Sequence, residues 1–435
     1  MPLQGMTLES YPTFLPDGSQ IAYWHPRQGS FLNINAIRVS PTAGGEGKNL
    51  TPALDRDVYR AMLDAGRQGA AAGRARRQPL KGGAARRLNL GSVSPYWSFW
   101  VEVAVGAKGG VAFSGTDPGQ PAELFYMAST GAAPKRLTDF NHAVKDLQLG
   151  KTQTLTWQCD GMTNNGELTY PANYVAGKTY PLVPAIHGGP YMASTATLSS
   201  LSQLFAGRGY FVFEPNYRGS GNLGNACKTA IHAIYKDAGA GPGRDVMAGL
   251  ARLKRSGLID TTRIGVSGWS YSGYMTTWLP GHYPTQWKAA GAAVTDLLDQ
   301  YNLADASVQW AAFFDESFWL SEANAQAYRE QSPMSAASRI RTPTLIPANP
   351  RVPVTQSYKL FHALKDNGVT TDIAWPVAAH NASDPVRQRE RNRFWLEWMD
   401  AYLQPGAGAP APTGSNQAAT CMVPEYGGPG LDERY

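Results

Sequence analysis

The sequence predicts an α/β fold with a mostly parallel sheet, preceded by an all-β region. From about residue 143 onward, short apolar runs alternate with stretches of helical periodicity, the pattern of a parallel sheet covered by helices. Before residue 142, Gly-rich turns separate short alternating runs instead. We therefore expect a β-rich region at 1–142, an α/β domain at 143–404 and a flexible tail, rich in Pro, Gly and Ala, at 405–435.

The composition is that of a globular protein. The chain has 435 residues, of which 43% are hydrophobic and 17% charged, and it is long enough for one large core. The net charge of +6 does not indicate nucleic-acid binding, because seven basic residues and no acidic ones fall between residues 67 and 87. We interpret that stretch as a solvated or poorly ordered loop in preference to an anion-binding patch.

Several other classes of protein are not indicated. No apolar stretch approaches the roughly 18 residues of a membrane-spanning helix, and residues 1–20 lack a basic start followed by an apolar core. We expect a cytoplasmic protein with no membrane partner. Cys159, Cys227 and Cys421 have no zinc-binding spacing, and we expect them to be reduced. No phosphate loop, metal cluster or dinucleotide fingerprint is present, so no cofactor is expected. The oligomeric state cannot be predicted from the sequence.

The N-terminal third contains a repeat. Residues 16–24 place a tight turn before an alternating apolar strand, which predicts a hairpin. Three Gly-rich segments end in Leu50, Leu88 and Leu137, which are 38 and 49 residues apart. These intervals bracket the period of roughly 40–50 residues of a propeller blade. Because a closed propeller usually has four to eight blades, we expect an incomplete one of about three units. The alternative is an ordinary antiparallel sheet with Gly-rich turns.

The α/β region has recognisable elements. We predict strands at 182–186, 210–214 and 263–267, because these are short apolar runs bounded by turn residues. A helix is predicted at 245–255, where Val246, Leu250 and Leu253 share one face.

A nucleophile motif follows the third of these strands. Residues 268–273 read GWSYSG, which places Ser270 at the centre of a sharp turn from strand to helix. Only small residues fit two positions on either side of the central serine, and here Gly268 and Ser272 occupy them. The turn exposes the hydroxyl of Ser270 at the carboxyl edge of the sheet. We therefore predict the nucleophile elbow of an α/β-hydrolase fold.

Donors for a developing oxyanion are predicted upstream. His187, Gly188 and Gly189 directly follow a strand, where backbone N–H groups can point toward negative charge. Alone, this glycine pair would indicate only a tight turn. Together with the elbow, it predicts an oxyanion hole formed by one N–H of this loop and the N–H of Tyr271.

His380 is the predicted general base. It follows a strand-like run at 372–375 in the last part of the fold, where the final loop of the sheet can reach the serine. The other histidines of the α/β region lack this setting.

These motifs give the sequence a family resemblance. The elbow, the loop at 187–190, NYRGS at 216–220 and RVP at 351–353 resemble the prolyl oligopeptidase family of serine peptidases, especially its dipeptidyl aminopeptidase and acylaminoacyl peptidase branches. The resemblance is continuous over 143–404.

The resemblance implies a function. It implies hydrolysis of short peptides through an acyl-enzyme on Ser270, with a peptide as the molecular partner. It also implies that Tyr217, Arg218 and Trp269 lie near the substrate.

One residue departs from the family pattern. Asn349 occupies the position of the triad aspartate, in a shortened loop. The corresponding Asp to Asn change in a serine protease costs about 10⁴ in turnover, which is about 5 kcal/mol. We expect weakened activity unless another acid, such as Asp372 or Asp384, orients His380.

Two other functions remain open. A carboxylic ester hydrolase of the same fold would use the same serine, oxyanion loop and histidine. A non-enzymatic homologue would retain the fold with an incomplete triad. The sequence does not distinguish an exopeptidase from an endopeptidase.

Overall fold

The structure is a computed structural model. The residues that it describes are 10–15, 17–29, 33–56, 62–64, 69–72, 76–79, 84–96, 103–221, 223–231, 239–291, 314, 317–348, 352–374, 380 and 384–404.

Three antiparallel sheets precede the α/β region. The first contains β1 (Ser10–Phe14), β2 (Gln20–Pro26), β3 (Asn35–Pro41) and β4 (Lys48–Asn49), in that order. The second contains β5 (Met62–Asp64), β6 (Gly69–Ala72), β7 (Arg76–Pro79) and β8 (Arg86–Arg87). The third contains β9 (Ser94–Pro95), β10 (Val103–Val105), β11 (Val111–Asp117), β12 (Gln120–Met127) and β13 (Lys135–Arg136), with β9 pairing to β11.

The repeated segments correspond to the last strand of each sheet. β4, β8 and β13 end immediately before Leu50, Leu88 and Leu137, respectively. Leu50 and Leu88 are buried, whereas Leu137 is exposed. Each repeated segment thus belongs to a separate antiparallel sheet. The described residues of these units form three separate sheets and no closed ring, so a propeller stays a prediction.

The interpretation of residues 67–87 as a loop is wrong where the structure describes them. β6, β7 and β8 lie in this stretch and pair antiparallel, with Arg76 opposite Arg87 and Arg77 opposite Arg86. Strands pair through backbone N–H and C=O groups, so a ladder can form where the side chains show no alternation.

The α/β region is built on one eight-stranded sheet. Its order is β14-β15-β17-β16-β18-β19-β20-β21, and every neighbouring pair from β17 onward is parallel. The strands are β14 (Thr152–Cys159), β15 (Met162–Thr169), β16 (Tyr180–Ile186), β17 (Phe211–Asn216), β18 (Ile259–Gly268), β19 (Ala289–Gly291), β20 (Thr344–Pro347) and β21 (Thr371–Ala374). The predicted mostly parallel sheet is confirmed, with an antiparallel hairpin, β14–β15, at one edge.

Helices cover both faces of this sheet. Those described are α1 (Ser200–Gly207), α2 (Asn225–Ala230), α3 (Ala240–Arg255), α4 (Tyr271–His282), α5 (Glu322–Gln331), α6 (Val354–Asp366) and α7 (Pro385–Leu403). Along β17, Phe211 and Phe213 pack into the apolar cluster of α3 and α4, whereas Val212 packs into that of α1 and α7. This alternation is what a strand between two layers of helices requires. Among the helices described, none is both long and apolar enough to cross a membrane.

The first antiparallel sheet is attached to α2. The side-chain amide of Asn225 donates to Asn33 Oδ1 and its oxygen accepts from the backbone N–H of Ile34, each at 2.8 Å. The backbone N–H of Asn225 donates to Asp55 Oδ1 at 2.7 Å, and Lys228 Nζ donates to the carbonyl of Asn33 at 3.0 Å. The N-terminal region therefore contacts the α/β region through specific polar groups.

Candidate active site

The predicted elbow is a sharp turn between β18 and α4. β18 ends at Gly268 and α4 begins at Tyr271. Ser270 between them has φ 64° and ψ −128°, a conformation that side-chain-bearing residues rarely adopt. Such a backbone costs on the order of 1–3 kcal/mol and persists only when its surroundings enforce it. A Cβ atom on Gly268 would lie 2.5 Å from the carbonyl oxygen of Ser272, so the turn requires glycine there.

Ser272 occupies the second of the two positions in the elbow that require a small residue. Its hydroxyl accepts a hydrogen bond from the N–H of Trp269 at 2.7 Å and donates one to the carbonyl of Trp269 at 2.6 Å. The side chain is buried. Ser272 therefore makes two hydrogen bonds across the elbow that a glycine at this position could not make.

The predicted oxyanion loop packs against the elbow. A Cβ atom on Gly188 would lie 3.2 Å from the carbonyl oxygen of Trp269 and 3.7 Å from Cβ of Ser270. Gly189 has φ +115°, and a Cβ atom there would lie 2.5 Å from the backbone nitrogen of Tyr191. The close approach of Gly188 places this loop next to Ser270, and Gly189 is required by its own positive φ and the tight turn that follows it.

His187 is a neutral, hydrogen-bonded member of the site. Its Nδ1 lies 3.0 Å from the carbonyl oxygen of Gly188, which can only accept, so Nδ1 donates. Nε2 then accepts from the hydroxyl of Ser220 at 2.8 Å. Burial lowers the pKa of His187 to about 4, so the ring is uncharged at neutral pH.

Tyr217 connects the two predicted sources of oxyanion donors. Its hydroxyl donates to the carbonyl of His187 at 2.7 Å, and its ring stacks on the imidazole with centroids 4.5 Å apart. The ring centroid of Tyr217 also lies 6.0 Å from that of Tyr271, whose N–H is the other predicted oxyanion donor. Tyr217 is fully buried, and burial raises the pKa of its phenol.

Arg218, the residue after Tyr217, is held by two carboxylates. Its Nε and its backbone N–H both donate to Asp245 Oδ2 at 2.8 Å, and its Nη2 donates to Asp160 Oδ2 at 2.7 Å. The side chain is 4% exposed and that of Asp245 is fully buried. Hydrogen bonding to Asp245 raises the pKa of Arg218. These contacts direct the guanidinium toward α3 and the β14–β15 turn, and a contact with substrate stays a prediction.

Trp269 brings His380 to the elbow. Its indole Nε1 donates to the backbone carbonyl of His380 at 2.9 Å, and the two ring centroids are 5.8 Å apart. Because Trp269 directly precedes Ser270, the predicted base and the predicted nucleophile belong to one cluster of contacts.

The predicted acid position is outside the described residues. Asn349 lies two residues after the end of β20. The residue between them, Ala348, donates its backbone N–H to the carbonyl of Ala374 at the end of β21, at 2.8 Å. Of the two alternative acids, Asp384 has its Oδ1 bonded to the N–H of Val386 at 2.8 Å, where it caps α7. Asp372 Oδ1 accepts from the N–H of Ile373 at 2.8 Å.

Two residues of the site were not predicted from the sequence. Asp245 holds Arg218, and Ser220 bonds to His187 while its oxygen accepts from the N–H of Tyr217 at 3.0 Å. The available signal for Asp245 was a carboxylate adjoining the apolar face of a predicted helix, where an unpaired charge would be costly.

A serine on a strained strand-to-helix turn, at the carboxyl edge of a mostly parallel sheet with helices on both faces, defines an α/β-hydrolase type of protein. Residues 196–406 match the sequence profile of the prolyl oligopeptidase family. The resemblance noted in the sequence is confirmed over these residues.

Named relatives agree with this assignment. An uncharacterized peptidase, YuxL, of Bacillus subtilis strain 168 is 32% identical over 304 residues, covering 66% of this chain and 45% of the relative. Dipeptidyl-peptidase 5 of Porphyromonas gingivalis is 26% identical over 420 residues, covering 92% of this chain and 60% of the relative. The chain thus spans about half the length of the curated relatives it matches.

A solved structure has the same fold. The acylaminoacyl peptidase of Pyrococcus horikoshii superposes with a TM-score of 0.76 at 22% identity, over 89% of this chain and 62% of that protein.

Proposed function

We propose that this chain is a serine peptidase that hydrolyses short peptides through an acyl-enzyme on Ser270. The observation that carries the proposal is the elbow itself. Ser270 has a strained backbone, and its neighbourhood contains both the glycine loop at Gly188 and the tether from Trp269 to His380. The match of residues 196–406 to the prolyl oligopeptidase family supports a peptide as the substrate.

The proposed reaction proceeds in two stages. His380 accepts the proton of the Ser270 hydroxyl as Oγ forms a bond to the scissile carbonyl carbon. The carbon–nitrogen bond then breaks, and His380 returns the proton to the leaving amine. In the second stage, water deprotonated by His380 attacks the ester carbon, and the proton returns to Oγ as the acid is released.

The negative charge on the carbonyl oxygen requires fixed donors. We assign this role to the N–H of Tyr271, at the start of α4, and to one N–H of the loop formed by His187, Gly188 and Gly189. Removal of one such donor typically costs about 10²–10³ in kcat. The neutral His187 ring, held by Ser220 and Tyr217, supports the conformation of this loop.

Two of the residues predicted near the substrate are held by other groups of the site. Tyr217 is fully buried and donates to the carbonyl of His187, and the indole of Trp269 donates to the carbonyl of His380, so we assign both to the support of the site. Arg218 contributes through the loop that it supports, since its guanidinium is already bound by Asp160 and Asp245.

Covalent labelling tests the nucleophile. A serine-directed fluorophosphonate is expected to label the unmodified protein and a Ser338→Ala control, in which an exposed serine is lost, but not Ser270→Ala. Equal labelling of Ser270→Ala would end the assignment.

Substrate comparison tests the reaction class. Faster turnover of aminoacyl p-nitroanilides than of p-nitrophenyl acetate would support a peptidase, and the reverse order would favour an ester hydrolase. Lack of acylation by any of these reagents would favour a non-enzymatic homologue.

A further inference from the structure

Trp269 is fixed at both its backbone and its side chain. Ser272 bonds to the N–H and the carbonyl of Trp269, and the indole N–H donates to the carbonyl of His380 at 2.9 Å. The indole and imidazole planes are inclined by 35° with centroids 5.8 Å apart. This residue therefore transmits the geometry of the elbow to a backbone group 111 positions downstream.

The indole is held from α7 as well. The guanidinium carbon of Arg391 lies 6.0 Å from the ring centroid of Trp269 and 5.5 Å from that of Trp395. The two indoles meet edge to face, with centroids 6.1 Å apart at 86°. Arg391 and Trp395 are four residues apart and so share a helix face. Guanidinium groups at this distance from an indole are attracted to its electron-rich face.

Arg391 is a partly buried residue of α7. Its Nε is buried and has no hydrogen-bond partner within the part of the chain that the structure describes. The contacts with Trp269 and Trp395 are therefore its principal described interactions. An arginine retained in this setting is expected to contribute through the orientation of the rings.

We propose that Trp269 is a positioning residue for His380, and that Arg391 and Trp395 hold its indole in the orientation that binds the His380 carbonyl. The proposal rests on the proposed function, in which His380 is the base. The hydrogen bond from Trp269 to the His380 carbonyl matters more in this chain because Asn349, at the predicted triad-acid position, has no charge with which to orient an imidazolium. Fixing the backbone at His380 restricts where its ring can lie.

A role in packing alone, or in substrate contact alone, gives different expectations. Loss of packing would lower stability without a specific effect on acylation. Loss of a substrate contact would raise KM and leave the reaction with a small probe unchanged. A positioning role should lower kcat and slow acylation of Ser270 while KM stays nearly constant.

Trp269→Phe is the direct test, because phenylalanine retains an aromatic face and removes the N–H donor. We expect kcat and the rate of fluorophosphonate labelling to fall about tenfold, as misplacement of a reacting group predicts, with KM within about twofold. Arg391→Met, which keeps length and removes charge, should slow labelling by a smaller factor. Arg393→Met on the same helix is the matched control, because Arg393 pairs with Glu390 and Glu397 on the exposed face.

Hydrogen exchange separates this proposal from the proposed function. In a Ser270→Ala background, peptides covering His380 should exchange faster when Trp269→Phe is added, whether or not the protein is an active peptidase. Unchanged exchange and unchanged labelling in Trp269→Phe would overturn the positioning role, as would equal slowing by Arg393→Met. If the unmodified protein is not labelled at all, the proposed function fails. The exchange result then decides by itself whether Trp269 fixes the backbone at His380.

Discussion

The hydroxyl of Ser272 bonds to both backbone groups of Trp269, accepting from the N–H at 2.7 Å and donating to the carbonyl at 2.6 Å. Ser272→Ala would leave both groups without this partner in a buried turn. We expect the free energy of unfolding to fall by about 1–3 kcal/mol. Because the strained backbone of Ser270 depends on its surroundings, fluorophosphonate labelling should also slow.

Thr277→Val provides the matched control for this variant. Thr277 lies in the same helix, and its buried hydroxyl donates to the carbonyl of Gly273 at 3.0 Å, away from the turn. Urea unfolding should report a loss of stability in both variants, but only Ser272→Ala should be labelled more slowly. Labelling of Ser272→Ala at the original rate would contradict a role for these hydrogen bonds in shaping the elbow.

Asn349→Asp should raise kcat on a chromogenic dipeptide substrate. A carboxylate at this position would stabilise the imidazolium of His380 by charge, which an amide cannot do. We expect a gain of about ten- to a hundredfold, below the full 10⁴ that a serine protease loses with the reverse change, because the loop is shortened. Asn173→Asp, which adds the same charge at an exposed position, should have no effect. No gain, or a loss, would mean that this loop does not deliver a side chain to His380.

Glu214 should make the protein less stable as the pH rises. It lies opposite Glu167 on the neighbouring antiparallel strand. The pKa of Glu214 is raised to about 7, chiefly because the carboxyl is buried. The hydrogen bond with Ser202 lowers this pKa, and the negative charge of Glu167 raises it. The folded state therefore binds the proton more tightly than the unfolded state. The free energy of unfolding should fall between about pH 4.5 and pH 7, by about 3 kcal/mol.

Glu214→Gln removes this titration. Urea unfolding at pH 5 and pH 8 should give a smaller difference for the variant than for the unmodified protein, and the variant should be the more stable of the two at pH 8. Glu330→Gln, which changes an exposed glutamate, should retain the original pH dependence. Parallel pH curves for Glu214→Gln and the unmodified protein would disprove the assignment.

The sequence predicted elements well where periodicity was strong. The strands predicted at 182–186, 210–214 and 263–267 correspond to β16, β17 and β18. The helix predicted to begin at residue 245 begins at Ala240 instead, because the apolar periodicity used for the prediction starts only at Val246. Gly241 and Pro242 disfavour a helix by propensity, yet proline is tolerated in a first turn. A Cβ atom on Gly241 would lie 2.7 Å from Cδ of Arg218, so packing selects glycine there.

The site was predictable to the extent that it is local. The elbow at 268–273 and the loop at 187–190 are contiguous motifs whose backbone geometry follows from small residues. The pairs Arg218–Asp245 and Trp269–His380 join residues 27 and 111 positions apart, respectively. No periodicity connects such residues, because their proximity depends on the order of strands in the sheet. The same reason kept the arrangement of the three N-terminal sheets beyond prediction, although their repeats were visible.

The bonds from Asn33, Ile34 and Asp55 to Asn225 bear on how this protein can be dissected. α2 also supports the Tyr217 loop, since the carbonyl of Cys227 accepts from the N–H of Gly219 at 2.8 Å. A version of the chain trimmed to its α/β region would expose the polar groups of Asn225 to water and remove the bonds that hold α2, which supports the Tyr217 loop. The N-terminal region is in this sense bonded to the helix that supports the Tyr217 loop, and it is not a detachable appendage.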